Sequence, residues 1–182
     1  MAFAITIDTT ATVAAIRAQG RAPGSVNSVV GRAVQNSLRS HFREKDANEP
    51  NRLGGERTHF WLQIARSITQ RSTGNSVEVA ITDPRAAQKF YGGTIKAKRG
   101  KYLTIPIDPL AHGRRVSVLA RQMGWTIFRR GMCLAANTGG GIRNLYALKE
   151  SVTQRATPGT LPDAAVLQSA VARALRQLAP TP

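Results

Sequence analysis

The residues best suited to chemistry in this 182-residue chain are four closely spaced cations, Lys96, Lys98, Arg99 and Lys101. Four charges at this spacing cannot all be buried, so the segment must reach solvent or a partner. Cationic side chains of this kind bind phosphate or carboxylate groups through charge-assisted hydrogen bonds. Residues 96–101 are therefore a candidate binding segment, which we call the basic loop.

Glycines lie at both ends of the basic loop. Gly92 and Gly93 precede it and Gly100 lies near its end, where glycine allows the backbone angles of a turn. Residues 102–105 then alternate and are rich in strand-forming types, as in a half-buried strand. Pro106 removes a hydrogen-bond donor, which indicates an edge strand or a strand end. The pattern predicts a hairpin that projects the basic loop from a small sheet.

The charge of the whole chain favours a negatively charged partner. The sequence contains 26 Lys and Arg against 10 Asp and Glu, a formal net charge of +16. Nucleic acid, an acidic protein surface and anionic lipid all fit this excess, and a merely basic soluble surface is the alternative. Further charge lies nearby in sequence at Arg114, Arg115, Arg129 and Arg130.

Catalytic and metal-binding patterns are not found. The histidines His41, His59 and His112 have no zinc-protease spacing, and Cys133 between two apolar residues is best interpreted as a small buried hydrophobe. The basic loop is not a P-loop, because six residues rather than four separate Gly93 from the Gly-Lys pair. We therefore expect no metal, no cofactor and no enzymatic activity.

Two amphipathic helices are predicted in the first half of the chain. Apolar residues four apart between Val26 and Phe42 form one stripe, which we expect to face the core. In a second helix, Phe60, Trp61, Ile64 and Ile68 face inward, and residues 71–75 form its polar end. The polar residues 44–56 between the two helices are predicted to be a loop, long enough to be mobile or to contact a neighbour.

Alternating apolar residues predict strands at 3–7, 77–81, 102–105 and within 142–152. Two further strands are predicted at 125–128 and 132–134, with a turn at Arg129-Arg130-Gly131 between them. Residues 157–162 are typical of a linker, and Asp163 caps a last helix. That helix packs either on its own domain or on a neighbouring copy, as an inter-subunit arm. Its apolar face consists of Leu167, Val171, Leu175 and Leu178, with Ala174 among them.

These elements predict an α+β fold in which a small, mainly antiparallel sheet is flanked by two or three helices. The predicted organisation is one α+β domain over residues 1–156, followed by a linker and the amphipathic helix over 157–182. No apolar run is long enough to span a membrane, and a single cysteine with no disulfide framework suits a reducing cytoplasm.

Residues 89–98 with 101–106, which include Tyr91-Gly92-Gly93 and Leu103-Thr104-Ile105-Pro106, resemble the phage virion-morphogenesis, or tail-completion, family. Residues 145–152, 161–163 and 58–61 are also similar to such proteins. The resemblance extends over residues 23–178, and the segment 120–131 departs from it because its apolar pattern is less regular.

The resemblance implies a structural protein of a tailed bacteriophage, assembled in the host cytoplasm and located in the virion. There it would form a ring at the neck, commonly of six copies, that completes or terminates the tail and joins it to the head. The implied partners are further copies of the chain, the head–tail connector or adaptor protein and the tail tube protein. The basic loop would contact an adjacent acidic ring or, without sequence preference, the DNA in the channel.

Two alternatives stay open. A neighbouring stopper or adaptor ring would have a similar location, and a non-specific nucleic-acid-binding protein would belong to another class. The second alternative predicts tight, salt-sensitive binding of nucleic acid by the isolated monomer, whereas a neck protein should bind only weakly as a monomer. No helix–turn–helix, zinc-finger or RNA-recognition pattern accompanies the basic loop, so sequence-specific binding is not expected.

Overall fold

The computed structural model describes residues 3–8, 10–11, 14, 23–49, 53–73, 76–98 and 100–177. The helices are α1 (Pro23–Asn48), α2 (Phe60–Arg66), α3 (Pro84–Tyr91), α4 (Val116–Met123) and α5 (Ala164–Arg176), with a 3-10 turn at Pro109–Ala111. The strands are β1 (Phe3–Asp8), β2 (Ile68–Thr73), β3 (Ser76–Ile81), β4 (Gly93–Lys96), β5 (Leu103–Pro106), β6 (Ile127–Arg130), β7 (Cys133–Asn137), β8 (Ile142–Lys149) and β9 (Ser151–Gln154).

The chain divides into two compact units. The first takes its residues from 1–48, 60–92 and 155–182, and the second from 49–59 and 93–154. The α+β class with mainly antiparallel sheets, flanking helices and a C-terminal helix is confirmed. The predicted division into residues 1–156 and 157–182 differs from this one, because α5 belongs to the first unit and residues 93–154 belong to the second.

The predicted apolar stripe of α1 forms the core of the first unit. Val26, Val30, Val34, Leu38 and Phe42 are all almost completely inaccessible to solvent. Since these residues recur every four positions, they fall on one side of the helix and can be buried together. The Phe42 ring stacks on the Trp61 ring of α2 at 5.7 Å between centroids. Burial of the whole stripe confirms the prediction for this helix.

Helix α1 packs on a three-stranded antiparallel sheet with the order β1-β3-β2. The inward residues of β3, Val77, Val79 and Ile81, are buried against it. Gly31 permits a close approach, because a Cβ at this position would lie within 3 Å of the Val77 side chain. The Gln35 side chain donates a hydrogen bond to the Ile68 carbonyl of β2, at 2.9 Å. Both contacts fix α1 over this sheet.

The sheet contains one strand that the sequence pattern assigned to a helix. Helix α2 ends at Arg66, and Ile68–Thr73 form β2 instead of a polar helix end. The Ser67 hydroxyl donates to the Ile64 carbonyl at 2.8 Å and accepts the Asp83 N–H at 3.3 Å, so this serine turns the chain. Threonines at 69 and 73 favour a strand once a partner strand is present.

The second unit is built on a four-stranded antiparallel sheet with the order β5-β8-β7-β6. Leu119 of α4 packs with Ala136, Leu145 and Tyr146 in its core. Leu145 and Tyr146 are adjacent, yet both are buried, since the register of β7 and β8 shifts between Leu134 and Ala135. Residues 116–123, whose apolar pattern fits either a helix or a strand, are helical.

The prediction of a hairpin around the basic loop is wrong. β4 pairs with β9, and β5 pairs with β8, so β4 and β5 belong to different sheets. The single strand predicted within 142–152 is likewise two strands, β8 and β9, separated at Glu150. Pro106 does lie on an edge strand and at its end, as predicted. The basic loop therefore links two sheets.

The prediction of a loop at 44–56 is wrong for its first residues, because α1 continues to Asn48. Asp46 on this last turn accepts a hydrogen bond from the backbone N–H of Leu62, at 3.2 Å. The N–H groups in the first turn of a helix have no partner within that helix, so Asp46 satisfies one of them for α2. This contact gives the extension of α1 a structural role.

Two aspartates precede helices in the first unit, but only one caps its helix with its side chain. Asp83 accepts the Arg85 N–H at 2.9 Å and pairs with the Arg85 guanidinium at 2.6 Å, whereas Asp163 makes no capping bond. We predict that Asp83→Ala lowers the free energy of unfolding by about 1 kcal/mol at pH 7. Asp163→Ala, the matched control, should change it by less than about 0.5 kcal/mol.

This difference should depend on pH. The hydrogen bond from Arg85 lowers the pKa of Asp83 below 3.8 in the folded protein. The stabilisation is therefore complete above the unfolded-state pKa and is lost as the pH falls through the folded-state value. Urea unfolding followed by circular dichroism should give a wild-type advantage over Asp83→Ala that shrinks below about pH 4. Equal losses for Asp83→Ala and Asp163→Ala would contradict the capping role.

Candidate functional site

The basic loop is exposed in the second unit. Lys96 ends β4, Lys98 and Lys101 follow in the connection to β5, and all three side chains are exposed. Arg99, the fourth predicted cation, lies outside the described residues. Gly100 has a φ of 82°, a conformation that residues with a Cβ rarely adopt, and it precedes Lys101. The turn predicted at this glycine is present, although it does not join the two strands of one hairpin.

The Tyr102 ring brings the basic loop next to an arginine from another strand. The Arg129 guanidinium lies 5.1 Å from the centre of this ring, and the Lys101 ammonium lies 5.5 Å from it. An aromatic ring attracts cations through the negative charge on its faces. The same ring therefore attracts one cation from the basic loop and one from β6. We call Lys101, Tyr102 and Arg129 the basic corner.

Strand pairing places Arg129 and Tyr102 on the same face of the sheet. Arg129 lies opposite Leu134, Leu134 lies opposite Tyr146, and Tyr146 lies opposite Pro106, so these residues share one face of the sheet. Tyr102 precedes β5 and, by the alternation of side chains, belongs to the same face. The neighbouring Arg130 points to the opposite face of β6. One of the two adjacent arginines therefore belongs to the basic corner, and the other does not.

Local hydrogen bonds orient the Arg129 guanidinium. Its Nε–H donates to the Gly131 carbonyl at 2.9 Å, and its Nη2 lies 3.8 Å from the sulfur of Met132. A guanidinium carries five N–H donors, so three are left after these two contacts. Among the described residues, no carboxylate forms an ion pair with Lys98, Lys101 or Arg129. The basic corner thus has charge and donors available for an anion.

Other arginines of the second unit are paired with carboxylates. Arg114 pairs with Glu56 at 3.0 Å, and Arg143 pairs with the buried Asp108. Asp108 also accepts the Leu110 N–H at 2.9 Å, and so stabilises the 3-10 turn. These two ion pairs stabilise the unit itself and reduce the charge available to a partner.

Arg114 also takes part in the core through its backbone. The Tyr146 hydroxyl donates to the Arg114 carbonyl at 3.0 Å. Burial raises the pKa of Tyr146, and the positive charge of Arg114 opposes this rise. Tyr146 therefore keeps its proton and its hydrogen bond at neutral pH. Of the predicted arginines at 114, 115, 129 and 130, Arg129 belongs to the basic corner through its contact with Tyr102.

The positive charge is concentrated in the second unit. Its 73 residues contain 13 Lys and Arg against four Asp and Glu, whereas the 109 residues of the first unit contain 13 against six. The smaller unit thus has the larger excess of cations, even before the two ion pairs are considered. Its surface is the one that would attract a polyanion.

The remaining predicted site residues are Gly92, Gly93 and the apolar residues of α5. Gly92 has a φ of 73° and ends α3, where its N–H donates to the Gln88 carbonyl, and Gly93 begins β4 across the boundary between the units. On α5, Leu167, Val171 and Leu175 pack against the core of the first unit. Leu178 lies outside the described residues. In the structure, α5 packs on its own unit, which is one of the two alternatives predicted for this helix.

The described residues contain no group of three or more His, Cys, Asp and Glu side chains that could hold a metal ion. Within the same ranges, no helix combines the length and hydropathy that a bilayer crossing needs. The Nε2 atom of His41 lies 3.2 Å from the carbonyl oxygen of Gly159. This contact joins α1 to the segment before α5.

Comparison with known proteins returns no relative: no family model, no curated protein and no solved structure matches the chain. The proposals below are therefore argued from the residues and contacts of this chain.

We predict that Tyr102 and Arg129 contribute jointly to stability. A double-mutant cycle with Tyr102→Leu and Arg129→Gln should give a coupling free energy of about 0.5–1 kcal/mol, the usual range for an exposed cation and ring. The measurement is urea unfolding of the wild type, both single variants and the double variant.

The matched control is a second cycle that combines Tyr102→Leu with Arg130→Gln. Arg130 has the same charge and comparable exposure but lies on the opposite face of β6, so its coupling to Tyr102 should be close to zero. Equal coupling in both cycles would mean that the measured term is a general charge effect and not the contact.

Proposed function

We propose that the chain is a structural protein of a tailed bacteriophage that forms a ring at the neck, completes the tail and joins it to the head. The observation that carries the proposal is an exposed basic segment between the Tyr91-Gly92-Gly93 sequence and the Leu103–Pro106 strand. These are the residues through which the sequence resembles the tail-completion family. The α+β architecture with a C-terminal helix is consistent with it.

The proposed ring consists of identical copies, six if the resemblance holds. A ring closes only when each copy offers two different, complementary faces to its neighbours. Joining the ring to another part of the virion requires a further surface. The exposed lysines of the basic loop are suited to that contact, because no described carboxylate pairs with them. The partners would be the head–tail connector or adaptor, the tail tube protein or the channel DNA.

A protein that binds nucleic acid non-specifically, outside any virion, is the second candidate. The observation in its favour is the basic corner, in which Lys101 and Arg129 surround an aromatic ring. Under this proposal the isolated monomer binds nucleic acid tightly, and the affinity falls steeply with salt. Under the neck proposal a single copy contributes only a weak contact, which repetition around a ring multiplies.

Charge reversal tests the neck proposal. In the phage that encodes the chain, Lys98→Glu combined with Arg99→Glu should leave folding unchanged, since Lys98 is exposed and an exposed charge contributes little to stability. The same variant should abolish head–tail joining, because two attractive charges become repulsive. The measurement is the yield of joined particles in lysates by electron microscopy, with circular dichroism of the purified variant as the folding check.

The control is Arg173→Glu combined with Arg176→Glu, which makes the same change in charge on the exposed side of α5. This variant should still yield joined particles. Normal joining by Lys98→Glu with Arg99→Glu would refute the role of the basic loop. Loss of joining by both variants would show that total charge, and not this loop, is what matters.

A further inference from the structure

We infer that the basic corner binds the phosphate backbone of duplex DNA, with Lys101 and Arg129 as the contacting residues and Tyr102 as the residue that positions them. The inference deepens the proposed function and depends on it only for the source of the DNA, which would be the DNA in the channel. It assigns a role to Arg129 that neither the basic loop nor the family resemblance indicated.

The basic corner keeps two cations together without neutralising them. Lys101 and Arg129 share one ring, at 5.5 Å and 5.1 Å from its centre, and no described carboxylate pairs with either. Lys98 lies three residues before Lys101 and is also exposed. In the same unit Arg114 and Arg143 have carboxylate partners, so their charge is less available to an anion than that of Lys101 and Arg129.

The composition of the surface indicates the kind of anion that it binds. Protein–protein interfaces are depleted in lysine, whereas protein–DNA interfaces are much more positively charged. Lys101 and Arg129 contact one ring, and Lys96 and Lys98 are exposed a few residues earlier in the chain, which is the second composition. The Tyr102 ring is half-buried and already contacts two cations, so it is not open for a base to stack on. The contact therefore goes to phosphates and is independent of base sequence.

The Arg129 guanidinium has a defined orientation. Its Nε–H donates to the Gly131 carbonyl, which orients the guanidinium, and three of its Nη donors are left for a phosphate after the contact with the Met132 sulfur. Arg130, one residue later, lies on the opposite face of the strand and does not belong to the basic corner. The two adjacent arginines should therefore differ in their effect on DNA binding, although their charges are equal.

The test is the binding of a fluorescent duplex of mixed sequence by the purified full chain, measured by anisotropy over a range of salt concentrations. Weak, non-specific binding in the range of about 10⁻⁴–10⁻⁶ M at physiological salt is expected for the wild type. Arg129→Gln should weaken binding and reduce the slope of log K against log salt by about one. Arg130→Gln should leave the slope unchanged.

Two further variants test the positioning role of Tyr102. Tyr102→Leu removes the ring and should lower the slope in the same direction as Arg129→Gln, whereas Tyr102→Phe keeps the ring and should bind like the wild type. Circular dichroism establishes that each variant is folded. A structural role alone would not make the salt slope follow the presence of the ring.

Equal effects of Arg129→Gln and Arg130→Gln would overturn the inference, because binding would then depend on total charge. Absence of salt-dependent DNA binding by the wild type would also overturn it, and would indicate an acidic protein surface as the partner. In that case a phage in which Lys98→Glu with Arg99→Glu blocks head–tail joining would still support the proposed function. The two proposals can therefore fail separately.

Discussion

A cation without a carboxylate partner cannot enter a protein core, and this constraint arranges both units of the chain. On α1 it leaves the buried stripe entirely apolar and places Arg32 and Arg43 on the exposed side. In the second unit, Arg114 and Arg143 pair with Glu56 and Asp108. The other cations of that unit outnumber its carboxylates, so they must lie at its surface, where solvent or a partner can receive them.

The basic corner is the place where this surface charge becomes organised. Lys101 and Arg129 carry like charges, and both contact the Tyr102 ring. The ring offsets part of their repulsion and joins the connection between β4 and β5 to strand β6. A fixed arrangement of charge loses less conformational entropy on binding than a flexible loop does. The ring thus gives exposed cations a fixed arrangement, which suits a partner whose negative charges are regularly spaced.

The elements that could be predicted from the sequence are those with a complete local pattern. The stripe from Val26 to Phe42 and the β3 alternation each bury one face, and both elements are present. Strand β2 was missed because its polar residues 70–73 resemble the exposed end of a helix. Its identity depends on pairing with β3, which is a non-local interaction.

In the candidate site, too, some features follow from the local sequence and others depend on non-local strand pairing. Exposure of Lys96, Lys98 and Lys101 follows from charge alone and could be predicted. The contact of Arg129 with Tyr102 could not, because it depends on the order β5-β8-β7-β6, which brings residues 27 positions apart to one face. The hairpin was predicted wrongly for a related reason. Glycines indicate a turn, but they do not determine which strands pair on either side of it.

The most direct test of the proposed role is electron microscopy of lysates from the encoding phage after its gene for this chain has been interrupted. The neck proposal predicts full heads beside separate tails, and tails of uncontrolled length would place the ring at the end of the tail tube. Normal joined virions would contradict the proposal. The chain would then be better explained as a nucleic-acid-binding protein that acts outside the particle.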